Sequence, residues 1–244
     1  MLFPDGRDRV QTRMNSEPYE LVIFDLDDTL LDTAASMRAG LEALLAHYRA
    51  DWSLERTVQR HQELIRDIDP LVFAGTLNAQ QARELRFSRL LTEWNTPSPD
   101  ASEATCLYRQ AYVTAYAGCE GALQTVQHLR TLGLKVAVLT NYLREVQVES
   151  AGRIGLLPLL DALYCVDDLP APKPDPRAFL AVCQHFGVNR GRAVMVGDSL
   201  KNDVEGALGA GLHAVWFNRH GEAGPDVPSI RHLTELPERL TSLT

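Results

Sequence analysis

The strongest constraint in this sequence is a series of short apolar runs: LVIF (21–24), VAVL (136–139), LYCV (163–166), AVMV (193–196) and HAVWF (213–217). They are brief, partly β-branched and do not alternate with polar residues, the pattern of strands buried on both faces. Helical spacing fills the intervals. Residues 119–132 place Leu123, Val126, Leu129 and Leu132 on one expected face before a stop at Gly133. Residues 175–186 carry Ala178, Val182 and Phe186, and residues 201–210 end at Gly211. Strand, helix and strand in repetition give a parallel sheet with crossover helices, hence a doubly wound α/β domain.

Residues 33–117 contain no convincing strand. Met37, Leu41, Leu44, Leu45 and Tyr48 keep helical spacing, Leu54, Val58, Ile65 and Ile68 follow more loosely, and Phe87, Leu90, Leu91 and Trp94 form another stripe after a predicted Asn78 N-cap. Asp100 with Glu103 reads as a capping box for a fourth helix, and TPSPD (96–100) as an internal loop. The expected organisation is a disordered leader over 1–16, an α/β core over 17–32 and 118–244, and an all-helical lid over 33–117. The start is left open between Met1 and Met14.

The polar opening MLFPDGRDRVQTRMNSEPYE has no apolar segment of the secretory kind, and no run is long enough to span a bilayer, so the expectation is a cytoplasmic protein without membrane contact. A formal net charge of −8 without a basic block disfavours a nucleic-acid partner. Cys106, Cys119, Cys165 and Cys183 are isolated and read as free thiols, and the histidines lack metal-site spacing. Oligomeric state, monomer or dimer, is not fixed by any of these features.

In a parallel α/β sheet, ligands bind beyond the carboxyl ends of the strands. After the first run come Asp25 and Asp27; after the second, Thr140 and Asn141; after the third, Asp167, Asp168 and a loop reaching Lys173; after the fourth, Asp198, Ser199 and, further on, Asp203. Clustered Asp without His or Cys suits a hard cation such as Mg²⁺. Metal and lysine together would neutralise a phosphate that carboxylates alone repel, and Asp is an acceptable nucleophile toward phosphorus. Asp25 and Asp27, at i and i+2, reach the same ligand only if a tight turn follows the strand.

DLDDTL, the LTN ending at Asn141, KPDP beginning at Lys173 and GDSLKND (197–203) occur in that order. Together they resemble the four motifs of the haloacid dehalogenase superfamily, in its phosphatase branch, with the helical insertion resembling that family's cap between the first and second motifs. The resemblance implies a Rossmann-like core and hydrolysis of a small phosphorylated metabolite through an aspartyl phosphate. By position it implies Asp25 as nucleophile and Mg²⁺ ligand, and Asp27 as acid–base with its carbonyl on the metal. It implies Thr140 and Asn141 on the phosphoryl oxygens, Lys173 as charge neutraliser, Asp198 as Mg²⁺ ligand and Asp203 in or near the outer metal sphere.

Three other readings stand beside it: a phosphosugar mutase, a metal-independent haloacid dehalogenase, which has no use for Asp27, and a catalytically silent binding module. Thr29, Asp28 and Asp32 read as structural, with Asp32 a helix cap. GALGAG (206–211) reads as helix packing and a C-cap, and Lys201 as solvated. In RELRFSRLL (83–91), Arg86 and Arg89 are within reach of a substrate in principle, but a surface salt bridge is the plainer expectation.

Overall fold

In a computed structural model describing residues 19–96 and 100–243, the chain enters the sheet at its centre, through β1 (Leu21–Phe24). The helical insertion follows: α1 (Thr33–Tyr48), α2 (Leu54–Phe73), α3 (Ala79–Glu93) and α4 (Ala101–Thr114). The core resumes with α5 (Ala122–Thr131), β2 (Lys135–Leu139), α6 (Arg144–Arg153), β3 (Ala162–Tyr164) and α7 (Pro176–Phe186). It ends with β4 (Ala193–Gly197), α8 (Gly206–Ala210), β5 (His213–Phe217), β6 (Ser229–Ile230) and α9 (Leu236–Leu243). The expected leader and residues 97–99 of the TPSPD loop lie outside the described residues. No helix among the described residues is long and apolar enough to cross a membrane.

The sheet order is β3-β2-β1-β4-β5-β6, with every pairing parallel. Alternate residues of each strand feed opposite faces, and both faces are covered. Val22, Phe24, Val138 and Val196 pack with Val126 and Leu129 of α5, while Leu21, Ile23, Leu139 and Met195 pack with Phe179 and Val182 of α7. Burial on both sides is why the strands read as unbroken apolar runs. The chain runs from β1 to β2 on one side and returns after β3 to β4 on the other. This reversal opens a crevice at the carboxyl ends of β1 and β4.

Several expectations need correction. On α5 the buried stripe is Ala122, Thr125, Val126 and Leu129, at i, i+3, i+4 and i+7, whereas Leu123 and Leu132 are exposed. On α2 the inward residues are Thr57, His61, Leu64 and Ile68, so Leu54, Val58 and Ile65 sit beside the stripe. LYCV is a strand only as far as Tyr164, because Val166–Asp168 turns into a 3₁₀ helix. Residues 200–205 form a π-helical segment before α8. β6 is only two residues long, too short for a periodic signal.

The insertion has its own apolar cluster, including Leu41, Leu44, Leu64, Ile68, Phe87, Leu90 and Leu91. Its helices start where side chains satisfy free backbone N–H groups: Asp32, Ser53, Asn78 and Asp100 each accept from the first turn. Asn78 forms a reciprocal box with Gln81. Asp100 caps α4 alone, and the Glu103 carboxylate lies 3.7 Å from His47 instead. Gly40 lets the Tyr108 ring approach α1, since a Cβ there would sit 2.6 Å from it.

Candidate active site

The turn required after β1 is present. The Asp25 N–H donates to the Val196 carbonyl, extending the ladder by one residue, and the Leu26 carbonyl then accepts from the N–H groups of Thr29, Leu30 and Leu31. Asp28 takes the left-handed conformation, φ 58°, and its carboxylate accepts from Ala34 N–H and pairs with Arg219. The turn keeps Asp27 close enough for its charge to act on Asp25.

Lys173 Nζ donates to Asp25 Oδ1 and to Asp203 Oδ1, each at 2.6 Å, with all three side chains nearly sealed from solvent. Burial opposes the lysine's charge, but Asp25 and Asp203 outweigh it and hold the ammonium above its ordinary pKa. Burial pushes the Asp25 carboxyl up. Lys173 works against that rise, while Asp203, Asp27 and Asp198 add to it. Asp203 Oδ2 accepts from Ser199 N–H, and this carboxylate lies so close over Gly197 that any Cβ there would collide with it. Gly197 is therefore required by close approach.

Asp198 stands at the more open mouth of the crevice. Its N–H donates to Thr29 Oγ1 at 3.1 Å and its carbonyl accepts from Trp216 Nε1 at 2.9 Å, so Thr29 holds the end of β4 as well as its own turn. Desolvation, followed by the charges of Asp203 and Asp28, pushes the Asp198 carboxyl up to about 6. Carboxylate oxygens of Asp25, Asp198 and Asp203 all lie within 4.8 Å of one another. Three such oxygens suit a hard, oxygen-seeking cation. The Asp27 carboxylate is turned elsewhere, accepting from Thr33 Oγ1 at 2.8 Å and from the Gln147 amide. Burial raises its pKa against the pull of those two hydrogen bonds.

Thr140 is buried, and its Oγ1 accepts from Tyr142 N–H and Gln147 Nε2. Asn141 spends its side chain on the lysine loop: Nδ2 donates to the Lys173 carbonyl and Oδ1 accepts from the Lys173 N–H, both at 2.7 Å. Asp167 and Asp168 do not join the cluster. They hold Arg144 through its N–H and its guanidinium, respectively. Lys201 is exposed, Gly211 is the left-handed C-cap of α8, and Gly206 packs tightly on Phe179.

Gln147 is the residue that sequence reasoning missed. It bridges Asp27 and Thr140, and its Oε1 accepts from Ser150. A signal existed, because α6 buries Gln147, Ser150 and Ala151 on a stripe where an ordinary amphipathic helix carries large apolar residues. Beyond Asp27 and Gln147 opens a cavity of about 310 Å³ lined by the insertion, including Arg83, Arg86, Tyr108 and Tyr112. Arg86 is buried, so the expected surface salt bridge does not apply to it, whereas Arg89 is exposed.

A family model for haloacid dehalogenase-like hydrolases matches residues 19–211. Among characterised relatives, a ribulose-1,5-bisphosphate 5-phosphatase from Halopiger xanaduensis is 29% identical, covering 88% of this chain and 91% of its own. A phosphoserine phosphatase from Thermus thermophilus is 30% identical, covering 85% and 94%. The fold matches that of YfnB from Bacillus subtilis, a HAD-hydrolase solved with magnesium, at 23% identity, covering 92% of this chain and 99% of that one with a TM-score of 0.74. With four motifs converging on one crevice and a family match over most of its length, the chain belongs to the haloacid dehalogenase-like hydrolases.

Proposed function

We propose that the protein is a Mg²⁺-dependent phosphohydrolase that cleaves a small phosphomonoester through an aspartyl phosphate on Asp25. The observation that carries this reading is the buried Asp25–Lys173–Asp203 contact beside Asp198, a cation and a carboxylate triad around one potential nucleophile. The phosphatase activities of the two relatives support it.

Asp25, Asp198 and Asp203, with the Asp27 carbonyl, would hold Mg²⁺, and Asp203 also anchors Lys173. The cation, when bound, supplies charge neutralisation for the phosphoryl oxygens. Lys173 holds Asp25 Oδ1, leaving Oδ2 to attack phosphorus. The bond from phosphorus to the substrate oxygen breaks, and Asp27 gives that oxygen its proton. Asp27 then takes a proton from water as the water oxygen attacks phosphorus, and the Asp25–phosphorus bond breaks to release phosphate. Burial favours the protonated Asp27 needed for the first step, and Gln147 and Thr33 fix its direction. Thr140 Oγ1 and the backbone N–H of Asn141 are the assigned phosphoryl donors, since the Asn141 side chain is engaged with Lys173.

The helices α1–α4 act as the cap in this reading, closing over the cavity to exclude water. A metal-independent dehalogenase would leave the buried, doubly held Asp27 without a task. The test is phosphate release from p-nitrophenyl phosphate: activity with Mg²⁺, loss in EDTA and loss in Asp25→Asn are expected. Undiminished turnover in Asp25→Asn overturns the nucleophile assignment.

A further inference from the structure

The cavity wall contributed by the insertion carries two arginines, Arg83 and Arg86, that make no ion pair among the described residues. Arg86 on α3 is 7% exposed, and its Nε donates only to the Ala82 carbonyl of its own helix, at 3.4 Å. Among the described residues neither Arg86 nor its neighbour Arg83 forms an ion pair. Arg109, on the same wall, is already matched to Glu149 at 2.7 Å. Asp69 also lines the cavity and feels both arginines, but burial is the largest influence on its carboxyl and pushes it up. Asp69 shares the cavity but makes no ion pair with either arginine, and a buried guanidinium without a direct partner leaves donors free for an anion from outside.

A second group beside Arg86 is also incomplete. His61 is 2% exposed, neither of its ring nitrogens has a hydrogen-bond partner among the described residues, and the ring stacks on Phe87 with centroids 5.7 Å apart. Burial and Arg86 keep it neutral, so it retains one N–H to give. Arg86 further borders a small pocket shared with Asn141 and Tyr142, which puts it beside the loop after β2. The main cavity is continuous from this wall to Asp27 and Gln147.

Resting on the phosphatase reading above, we propose that Arg86, with Arg83 and His61 beside it, receives a second negative charge on the substrate. The substrate class is then a small phosphomonoester whose alcohol part carries a carboxylate or a second phosphate. A cavity of about 310 Å³ is large enough to receive such a molecule.

The experiment compares kcat/KM for phosphoglycerate, fructose bisphosphate and glycerol phosphate with Mg²⁺ present. The proteins are the wild type, Arg86→Met, Arg86→Lys and, as a control on the same helix, Arg89→Met. The wild type is expected to prefer one of the two doubly anionic substrates, and which one distinguishes carboxylate from phosphate. Arg86→Met should lose roughly 10- to 100-fold more on that substrate than on glycerol phosphate, chiefly through KM. Arg86→Lys should recover part of the difference, and it carries the comparison alone if the methionine variant does not fold. Arg89→Met should keep the wild-type preference. A wild type that favours glycerol phosphate, or an Arg86 variant that loses equally on all three, overturns the proposal. Wild-type turnover of p-nitrophenyl phosphate reports separately on the phosphatase reading.

Discussion

Asn141 grips Lys173 by its backbone at both ends, accepting from its N–H and donating to its carbonyl at 2.7 Å each. The loop carrying the lysine is thereby tied to the end of β2, and its ammonium is delivered between Asp25 and Asp203. Asn141→Ala removes both bonds. It should lower stability by about 1–3 kcal/mol and kcat by roughly 10- to 100-fold, because the lysine is no longer aimed. Chemical denaturation and steady-state kinetics on the same preparation check this, and wild-type kcat in a destabilised variant would separate the clamp from catalysis.

With Mg²⁺ held as proposed, the raised Asp198 carboxyl gives its binding an acid limit. A cation must displace the proton this group holds below about pH 6. Affinity should therefore fall about tenfold for each pH unit below that point on account of this residue alone, and level off above it. Titration of Mg²⁺ by calorimetry across this range tests it. Asp198→Asn should bind weakly throughout and show a shallower dependence; an unchanged profile would reassign the limit to another carboxyl.

His61 makes the ligand-free protein acid-sensitive. Burial, with Arg86, holds its folded pKa down to about 3, while the unfolded chain takes up that proton near pH 6.5. Between those values the unfolded state binds more protons, so this contribution to stability is present above about pH 6.5 and is lost as pH falls, at about 1.4 kcal/mol per unit. His61→Phe, which keeps a ring against Phe87, should flatten the dependence of urea midpoints on pH. An identical slope in the variant would show that other groups dominate.

What could be read from the chain beforehand follows a physical pattern. The strands announced themselves because both their faces are buried, and the residues after them stood out because α/β sheets bind ligands at that edge. The caps Asp32, Asn78 and Asp100 were visible since a capping side chain is a local event. Leu123 and Leu132 misled because apolar residues also occur on exposed helix faces, and only the packing of α5 decides which stripe turns inward. Gln147 gave no motif, for it matters through Asp27, 120 residues away, while Arg86 stood out in RELRFSRLL but could not be told from Arg89 until the helices closed a cavity around it.

The apolar cluster of α1–α4 draws no member from the sheet, and the two units meet around a cavity instead of through a common interior. On the proposed reading, residues that select the guest and residues that perform the chemistry thus depend on different foundations. Arg83, Arg86 and Tyr108 belong to the first unit, whereas Asp25, Lys173 and Asp198 are carried by the strand ends and loops of the second. A lineage built this way can change its diet by point substitution while conserving its reaction, and a protein engineer can do the same by randomising one wall.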